Sequence, residues 1–526
     1  MPSALTFPGI YIEEIPSGVR TITGVSTSNT AFVDYFTRGP LNKSVRITSF
    51  ADFERVFGGV QRDSEASYGI KQYYLNGGAV AFVVRVAAGA PAKASLTLQG
   101  GSPPQDTLII TASSEGEWAN EAVQVAVVQA GPDRFNLFVR EVAVQDGSVV
   151  LQGGLPQVLS VEAFRNLTMD STSPDYVVSV LEDSTLVDAE DAGLGDPPTG
   201  SAGDATGAPA DEAAWEPLTG GANGSPPDAS AELLGSPAAR SGLYALDAIE
   251  PEVFNILCMP VAATMDATNM KAAYDEALAY CIAKRAFLIV DIPASINTPD
   301  EMVGFLDDVT TDNHAATYFP RLLQSDPLNN GRSRDVAASG TMAGVYARTD
   351  ATRGVWKAPA GTEAVLRGVD LVTVITDGQN GGLNPLGLNV LRNFPIFGSI
   401  AWGARTLDGA DQKASEWKYI PVRRTALFIE ESLFQALKWV VFEPNDEPLW
   451  SQIRLNVGAF LNDLFRQGAF QGGTPRDAYF VKCDKETTTQ SDINRGVVNV
   501  VVGFAPLKPA EFVVIRIQQI AGQLQV

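Results

Sequence analysis

The spacing of apolar residues changes period several times along the chain. Near the N-terminus, FPGIYIEEI sets Ile10 and Ile12 against Tyr11 and Glu13 between Pro8-Gly9 and Pro16-Ser17-Gly18. Alternation bounded by turn formers predicts one short, isolated strand. TAFVDYF predicts a second strand, SFADFERVFG and SYGIKQYYLNGG predict helices, and AVAFVVRVA predicts a strand ending near Ala87, so together they make an α/β unit. From about Ala90 to Gln157 short runs such as TLIITA, EAVQVAVVQ, FNLFVREV and SVVLQG alternate with Gly, Pro and Ser. This spacing predicts an all-β insertion, of sandwich or barrel kind, over residues 90–164.

The pattern then lapses. Between Arg165 and Arg240 there is no Lys or Arg, and much of the stretch is Gly, Pro, Ala and Asp. Low hydrophobicity with unbalanced charge leaves little apolar surface to offset ordering entropy, so residues 165–236 are expected to form an exposed acidic loop or linker. Order returns with FNILCMP, a helix through MKAAYDEALAYCIAKR, the strand AFLIVDIP, a helix near DEMVGFLDDV, and ATYFPRLL. Strands alternating with helices imply parallel βαβ units, so residues 21–89 and 237–383 are expected to form one doubly wound α/β lobe. Its helix VAASGTMAGVYARTDATRG carries small residues on one face.

A last lobe, 384–505, is expected to begin with LNPLGLNVLRNFPIFGSIAWGARTL. Two amphipathic helices follow, one marked by Leu427, Ile429, Leu433 and Leu437, the other by Ile453, Val457, Phe460, Leu461, Leu464 and Phe465. Strands AYFVKCD and GVVNVVVGFAP then precede a terminal FVVIRIQQI. The lobe reads as α+β with an open sheet, and the whole chain as multi-domain.

Composition narrows the function. At 526 residues the chain is long enough for three or four lobes, since single cores stop growing at roughly 250–300 residues. A net charge of −23 argues against nucleic acid or an anionic membrane as partner, because both require clustered cations. Cys258, Cys281 and Cys483 form no CxxC pair, which predicts neither a disulfide framework nor a zinc site and fits a reducing compartment. No secretory leader pattern and no apolar stretch of about 18 residues is present, so membrane insertion is not expected.

Catalytic chemistry has little to stand on. The single histidine, His314, has Asp312 nearby but no serine in a GxSxG turn. No lysine follows a glycine, which excludes a Walker-type phosphate loop, and neither HExxH nor a dinucleotide-type GxGxxG occurs. Adjacent carboxylates such as Glu430-Glu431 and Asp307-Asp308 point to different sides of a helix. No catalytic, cofactor-binding or metal-ligating residue is expected, and His314 is expected to be structural or superficial. A hydrolase built around it is the weakest reading.

The termini carry the functional signal. Val513, Ile515 and Ile517 share one face of the last strand, while Phe512, Val514, Arg516 and Gln518 share the other. Natural proteins guard terminal edges against intermolecular pairing, and here only Arg516 and glutamines do so. Two detached strands, one near each end and each reached through Pro or Gly, suit donation into neighbouring copies. Such a contact is head-to-tail and generates an open helix or stacked rings.

FPGIYIEEIPSG, LNGGAVAFVVRVA, GVWKAPAG, LNPLGLNVLRNFPIFGSIAWGARTL, RRTALFIEESLF, VFEPNDEPLW, YFVKCD and GFAPLKPAEFVVIRI occur in that order. In this combination the chain resembles the tail sheath proteins of contractile phages and related injection systems, outside about Ala90 to Ser236. The resemblance implies a subtilisin-like α/β lobe without protease activity, a C-terminal lobe nearest an inner tube, and extended terminal arms over residues 1–20 and 506–526. By position, the N-arm comprises Pro8, Gly9, Ile10, Tyr11, Ile12 and Glu13, and the C-arm Phe512, Val513, Val514, Ile515, Arg516 and Ile517. The acceptor sheet uses Tyr479, Phe480, Val481, Val498, Val500 and Val502, and Arg454, Asp463 and Arg466 are candidates to face the tube. Implied partners are further copies of the chain, an inner tube protein, baseplate and terminator or cap proteins and, in particles that carry them, paralogous sheath subunits. The implied setting is assembly in the bacterial cytoplasm into a virion tail or phage-tail-like injection particle. A static filament or surface-layer protein, sharing strand donation without contraction, is the alternative.

Overall fold

The computed structural model describes residues 21–516 except 146, 194, 205 and 206. The N-arm residues Pro8 to Glu13, and Ile517 of the C-arm, lie outside the described residues.

An eight-stranded sheet, with strands drawn from Thr30 to Ala401, organises the α/β lobe. Its order is Ser44–Ile47, Ala81–Val86, Thr30–Tyr35, Ile256–Cys258, Phe287–Val290, Ala315–Phe319, Asn389–Phe394 and Gly398–Ala401. The six inner strands are parallel, and the outermost strand on each side is antiparallel. Side chains alternate between two cores: Ala31 and Val33 enter one, Phe32 the other. Near-continuous apolar runs such as AFVVRV and FLIV are what a parallel sheet buried on both faces requires.

Helix Phe50–Phe57 is capped by the Ser49 side chain and stopped by Gly58 in the left-handed region, φ 86°. Helix Glu65–Asn76 begins at Ser64, whose side chain accepts from the Ser67 N–H. Small residues let it meet helix Ser339–Arg353 almost backbone to backbone. A Cβ on Gly340 would fall 2.4 Å from the Gly69 carbonyl oxygen, and one on Gly344 2.6 Å from that of Tyr73. Main chain cannot move aside as a flexible side chain can. Gly340→Val is therefore expected to cost about 1–3 kcal/mol through overpacking, read as a lower urea midpoint.

The β-rich insertion holds two small antiparallel sheets on one core that includes Leu108, Ile110, Val125, Leu137 and Val187. One sheet has the order Val187–Asp191, Gln105–Ala112, Ser95–Gly100; the other Val158–Leu167, Phe135–Val142, Val123–Gln129, Glu216–Pro217. The acidic stretch 165–236, expected from its composition to be an exposed loop or linker, is instead tied into the insertion. It supplies strand Val187–Asp191 and helix Val177–Leu181, and it threads along the insertion by bridges such as Ala92 to Ala222 and Ser95 to Thr219. Buried Val177, Leu181, Val187 and Leu218 pin it at intervals between glycines and prolines.

A second correction concerns the expected boundary at 384. Asn389–Phe394 pairs in parallel with Ala315–Phe319 through Tyr318 to Asn389 and Phe319 to Val390, so both strands of that segment extend the central sheet. Helix Ile420–Ala436 then passes between cores: Ile420 and Leu427 belong to a core beneath the sheet, while Ile429 belongs to the C-terminal core with Trp450, Ile453, Val457 and Leu461. Its first half is buried nearly all round, from Ile420 to Leu427.

Candidate assembly interface

Helix Glu447–Arg466 lays Ile453, Val457, Leu461 and Leu464 against the C-terminal core, and a hairpin packs on the same core. Strand Tyr479–Lys482 pairs antiparallel with Val501–Phe504 in the register Tyr479 to Phe504, Phe480 to Gly503, Val481 to Val502 and Lys482 to Val501. Among the described residues the sheet has these two strands. Tyr479, Val481, Val502 and Phe504 face the core, whereas Phe480 is 49% and Val501 44% exposed. The Phe480 ring lies across Gly503, where a Cβ would fall 2.2 Å from it and make the ring swing aside. A two-stranded sheet is marginal by itself and carries unpaired main-chain groups along its edges. Of the acceptor residues expected from sequence, Tyr479, Phe480, Val481 and Val502 are in this hairpin. Val498 and Val500 precede the second strand and pack on the core without joining the ladder.

After the hairpin the chain leaves the C-terminal lobe. The Ala505 N–H donates to the Ala478 carbonyl at 2.8 Å, and the Gln471 N–H donates to Ala505 at 2.9 Å. Glu511 is then held by Arg405, with Nε to Oε1 and Nη2 to Oε2 both 2.7 Å. Beyond it Phe512, Val513, Val514 and Ile515 are 73–81% exposed. Among the described residues the sequence-predicted strand 512–516 has no ladder partner. Four consecutive large apolar residues in water are a feature to expect only where a surface is to be covered.

The three residues expected to face a tube differ in their commitments. Arg454 donates to the Cys483 carbonyl and, at 2.5 Å, to Glu447, so it fastens the helix to the hairpin. Asp463 and Arg466 are exposed, and both act electrostatically on the Tyr479 phenol.

The crevice where an open α/β sheet usually binds ligands is filled. Strand order reverses between Thr30–Tyr35 and Ile256–Cys258, and ligands lie at the carboxyl ends beside such a switch. Here Asp34 accepts from the N–H groups of Tyr35 and Val261, both at 2.8 Å, and burial pushes its carboxyl up to about 8. Asp291 accepts from the Ser339 N–H at 2.8 Å and burial pushes it up to about 6. Arg321, its side chain 3% exposed, closes the site by pairing with Glu65 and Asp335. His314 is buried between Asp312, 2.9 Å from Nδ1, and Arg423, 2.6 Å from Nε2. Among the described residues no group of three or more His, Cys, Asp or Glu is placed to hold a metal ion, and no helix is long and apolar enough to cross a membrane.

Two arginines escaped the sequence reading. Arg405 lies in the apolar run GSIAWGARTL and has no side-chain exposure, and Arg424 pairs with Asp350 at side-chain exposures of 3% and 4%. A cation inside an apolar run is the signal that could have marked Arg405 as internally paired.

Two family descriptions match the chain and together cover more than half of it: phage tail sheath protein central domain over residues 225–407, and phage tail sheath C-terminal domain over 412–520. The tail sheath protein of Vibrio phage KVP40 is 28% identical over 189 residues, 36% of this chain and 27% of that protein. A Pseudomonas aeruginosa relative is 26% identical over 228 residues, so the chain spans 27% and 55% of the lengths of these two curated relatives. Among solved structures, the sheath complex of an extracellular contractile injection system, PVC, in its contracted state has a TM-score of 0.58 at 22% identity, covering 98% of both chains. The anti-feeding prophage helical sheath in its contracted state has a TM-score of 0.55 at 23% identity, covering 98% of this chain and 100% of that one. The sheath tail protein of Listeria innocua reaches 0.59 at 14% identity, covering 93% and 96%. These likenesses are in fold.

Proposed function

Because the chain belongs to the phage tail sheath family, we propose that it is the repeating subunit of a contractile sheath that polymerises around an inner tube and shortens to drive that tube through a target membrane. The observation that carries this reading is a mismatch among the described residues: a strand-patterned apolar segment, Phe512 to Ile515, without a ladder partner, and a two-stranded hairpin with room for more strands. Donation of the segment into a neighbour's hairpin satisfies both. Each main-chain hydrogen bond gained adds about 0.5–1.5 kcal/mol, and repetition over a lattice turns that into a strong but hinged mesh. The N-terminal arm, residues 1–20, would add to the same sheet.

The α/β lobe is then the family's subtilisin-like lobe with its crevice closed by ion pairs, and the role is structural rather than catalytic. Partners are further copies of the chain, the inner tube, with Asp463 and Arg466 the better placed residues to meet it, and the baseplate and terminator proteins. Assembly takes place in the bacterial cytoplasm into an extended, kinetically trapped lattice. Contraction is a rigid-body rotation of the lobes into a more compact lattice while the arms stay paired and the linker 505–509 bends.

Electron microscopy of the chain co-expressed with its tube protein tests this. Hollow cylinders with two helical lattices, an extended one that converts irreversibly to a shorter and wider one under mild denaturant, are the expected result. A single lattice that dissolves without converting would favour a static filament.

A further inference from the structure

We propose that the buried Arg405–Glu511 pair is an anchor that fixes the root of the terminal strand on its own subunit and so positions the strand for a second copy of this chain. The inference rests on the strand-donation reading and adds the residues that position the strand.

The anchor is tied into the central sheet from one side. The Arg405 N–H donates to Asn389 Oδ1 and the Asn389 Nδ2 donates to the Arg405 carbonyl, both at 2.7 Å, and Asn389 opens a strand of that sheet. The guanidinium, with no side-chain exposure, gives Nε and Nη2 to the two Glu511 oxygens and Nη1 to Asp411 at 2.9 Å. Tyr419 adds its hydroxyl to Glu511 Oε2 at 3.1 Å, and Lys418 Nζ stands 4.0 Å away. A planar fork meeting a carboxylate along two bonds fixes orientation as well as distance. Burial opposes the Glu511 charge, yet Arg405, Tyr419 and Lys418 together hold the carboxyl below its ordinary range, so the pair stays ionised at neutral pH.

The tether on the other side is short. Ala505 is bonded into the C-terminal lobe and Phe470 bridges Pro506, so only residues 507–510, Pro509 among them, run between the two attachments. The strand segment therefore starts at the far end of a fixed span, and its exposure means that neither lobe of its own subunit covers it. A strand on a free tail would lose the conformational freedom of the whole tail on docking. With residues up to 511 already ordered, most of that cost is removed before the neighbour arrives.

The native cysteines are buried, so added surface cysteines can be labelled selectively. Nitroxides at Val513→Cys and Gln412→Cys in dispersed subunits are expected to give a narrow distance distribution, and adding Glu511→Gln should broaden it severalfold. In the unlabelled chain, Glu511→Gln should raise the concentration needed for cylinder formation by at least about tenfold. Tyr419→Phe, which removes one donor and keeps the charge pair, should shift both readouts the same way but less, and serves should Glu511→Gln not fold. An unchanged distribution overturns the anchor, as does broadening with assembly unchanged. If the unsubstituted chain forms no cylinders with its tube, the sheath reading fails, and the distance measurement alone decides whether Glu511 holds the strand root.

Discussion

A chain terminated after Glu511 is expected to melt within a few degrees of the full-length protein and to form no cylinders. Phe512 to Ile515 are 73–81% exposed, so their removal takes nothing from any core. Keeping Glu511 leaves Arg405 its bidentate counter-charge, so the buried guanidinium is not left with Asp411 as its one carboxylate. On the strand-donation proposal, what disappears is the capacity to complete a neighbour's sheet. Several main-chain hydrogen bonds at about 0.5–1.5 kcal/mol each are lost per contact, with the burial of four apolar side chains at roughly 1.5–3 kcal/mol apiece. A loss of this size at every repeat leaves no ordered lattice at micromolar concentration. Thermal denaturation and negative-stain microscopy on the same preparations check it. Cylinders from the shortened chain would rule out the arm as the donor, and a melting temperature lower by ten degrees or more would mean that it closes its own lobe.

The expected contrast between retained folding and lost assembly follows from how the chain divides its labour. Helices and sheets that fill a core were legible from period and run length: AVAFVVRVA, AFLIVDIP and the stripe from Ile453 to Leu464 all occupy the elements that their patterns predict. Elements that depend on remote partners were not. Val187–Asp191 alternates acidic and apolar residues and is a strand only because Gln105–Ala112 lies beside it. Asn389–Phe394 looked like the opening of a new lobe, since prolines and glycines flank it, but its partner is the apolar edge left by Ala315–Phe319.

The candidate site shows the same limit of local pattern. Alternation marked 512–516 as strand material, yet no local feature could reveal that Glu511 is held 106 residues away by Arg405. Helix Ile420–Ala436 shows the same limit: its spacing predicts an amphipathic helix, while the structure buries one half in each of two cores. A helix so shared transmits orientation. If lobes are to rotate as rigid bodies, this element must not bend, so the contacts that seat it bear the load.

Asp350→Ala is expected to be among the most damaging single changes for the folded subunit. Arg424, on the shared helix, gives Nη1 and Nη2 to Asp350 on helix Ser339–Arg353 at 3.0 and 2.6 Å, and Nη2 also donates to the Thr27 carbonyl at 2.8 Å. Its guanidinium lies 4.7 Å from the centre of the Tyr346 ring. Both partners are almost wholly removed from water, so deleting the carboxylate strands a buried cation, at a cost of about 3–5 kcal/mol. Calorimetry should show the melting temperature lowered by about 3–5 °C, because the unfolding entropy of a 526-residue chain is large, and the transition broadened or split, because the C-terminal lobe loses its rigid seat on the α/β lobe. The double change Asp350→Leu with Arg424→Met removes both charges at similar volume and should recover most of the loss. A shift below about 1 kcal/mol for Asp350→Ala would mean that Arg424 finds water or a new acceptor, and that packing of Ile420 and Leu427 alone seats the helix.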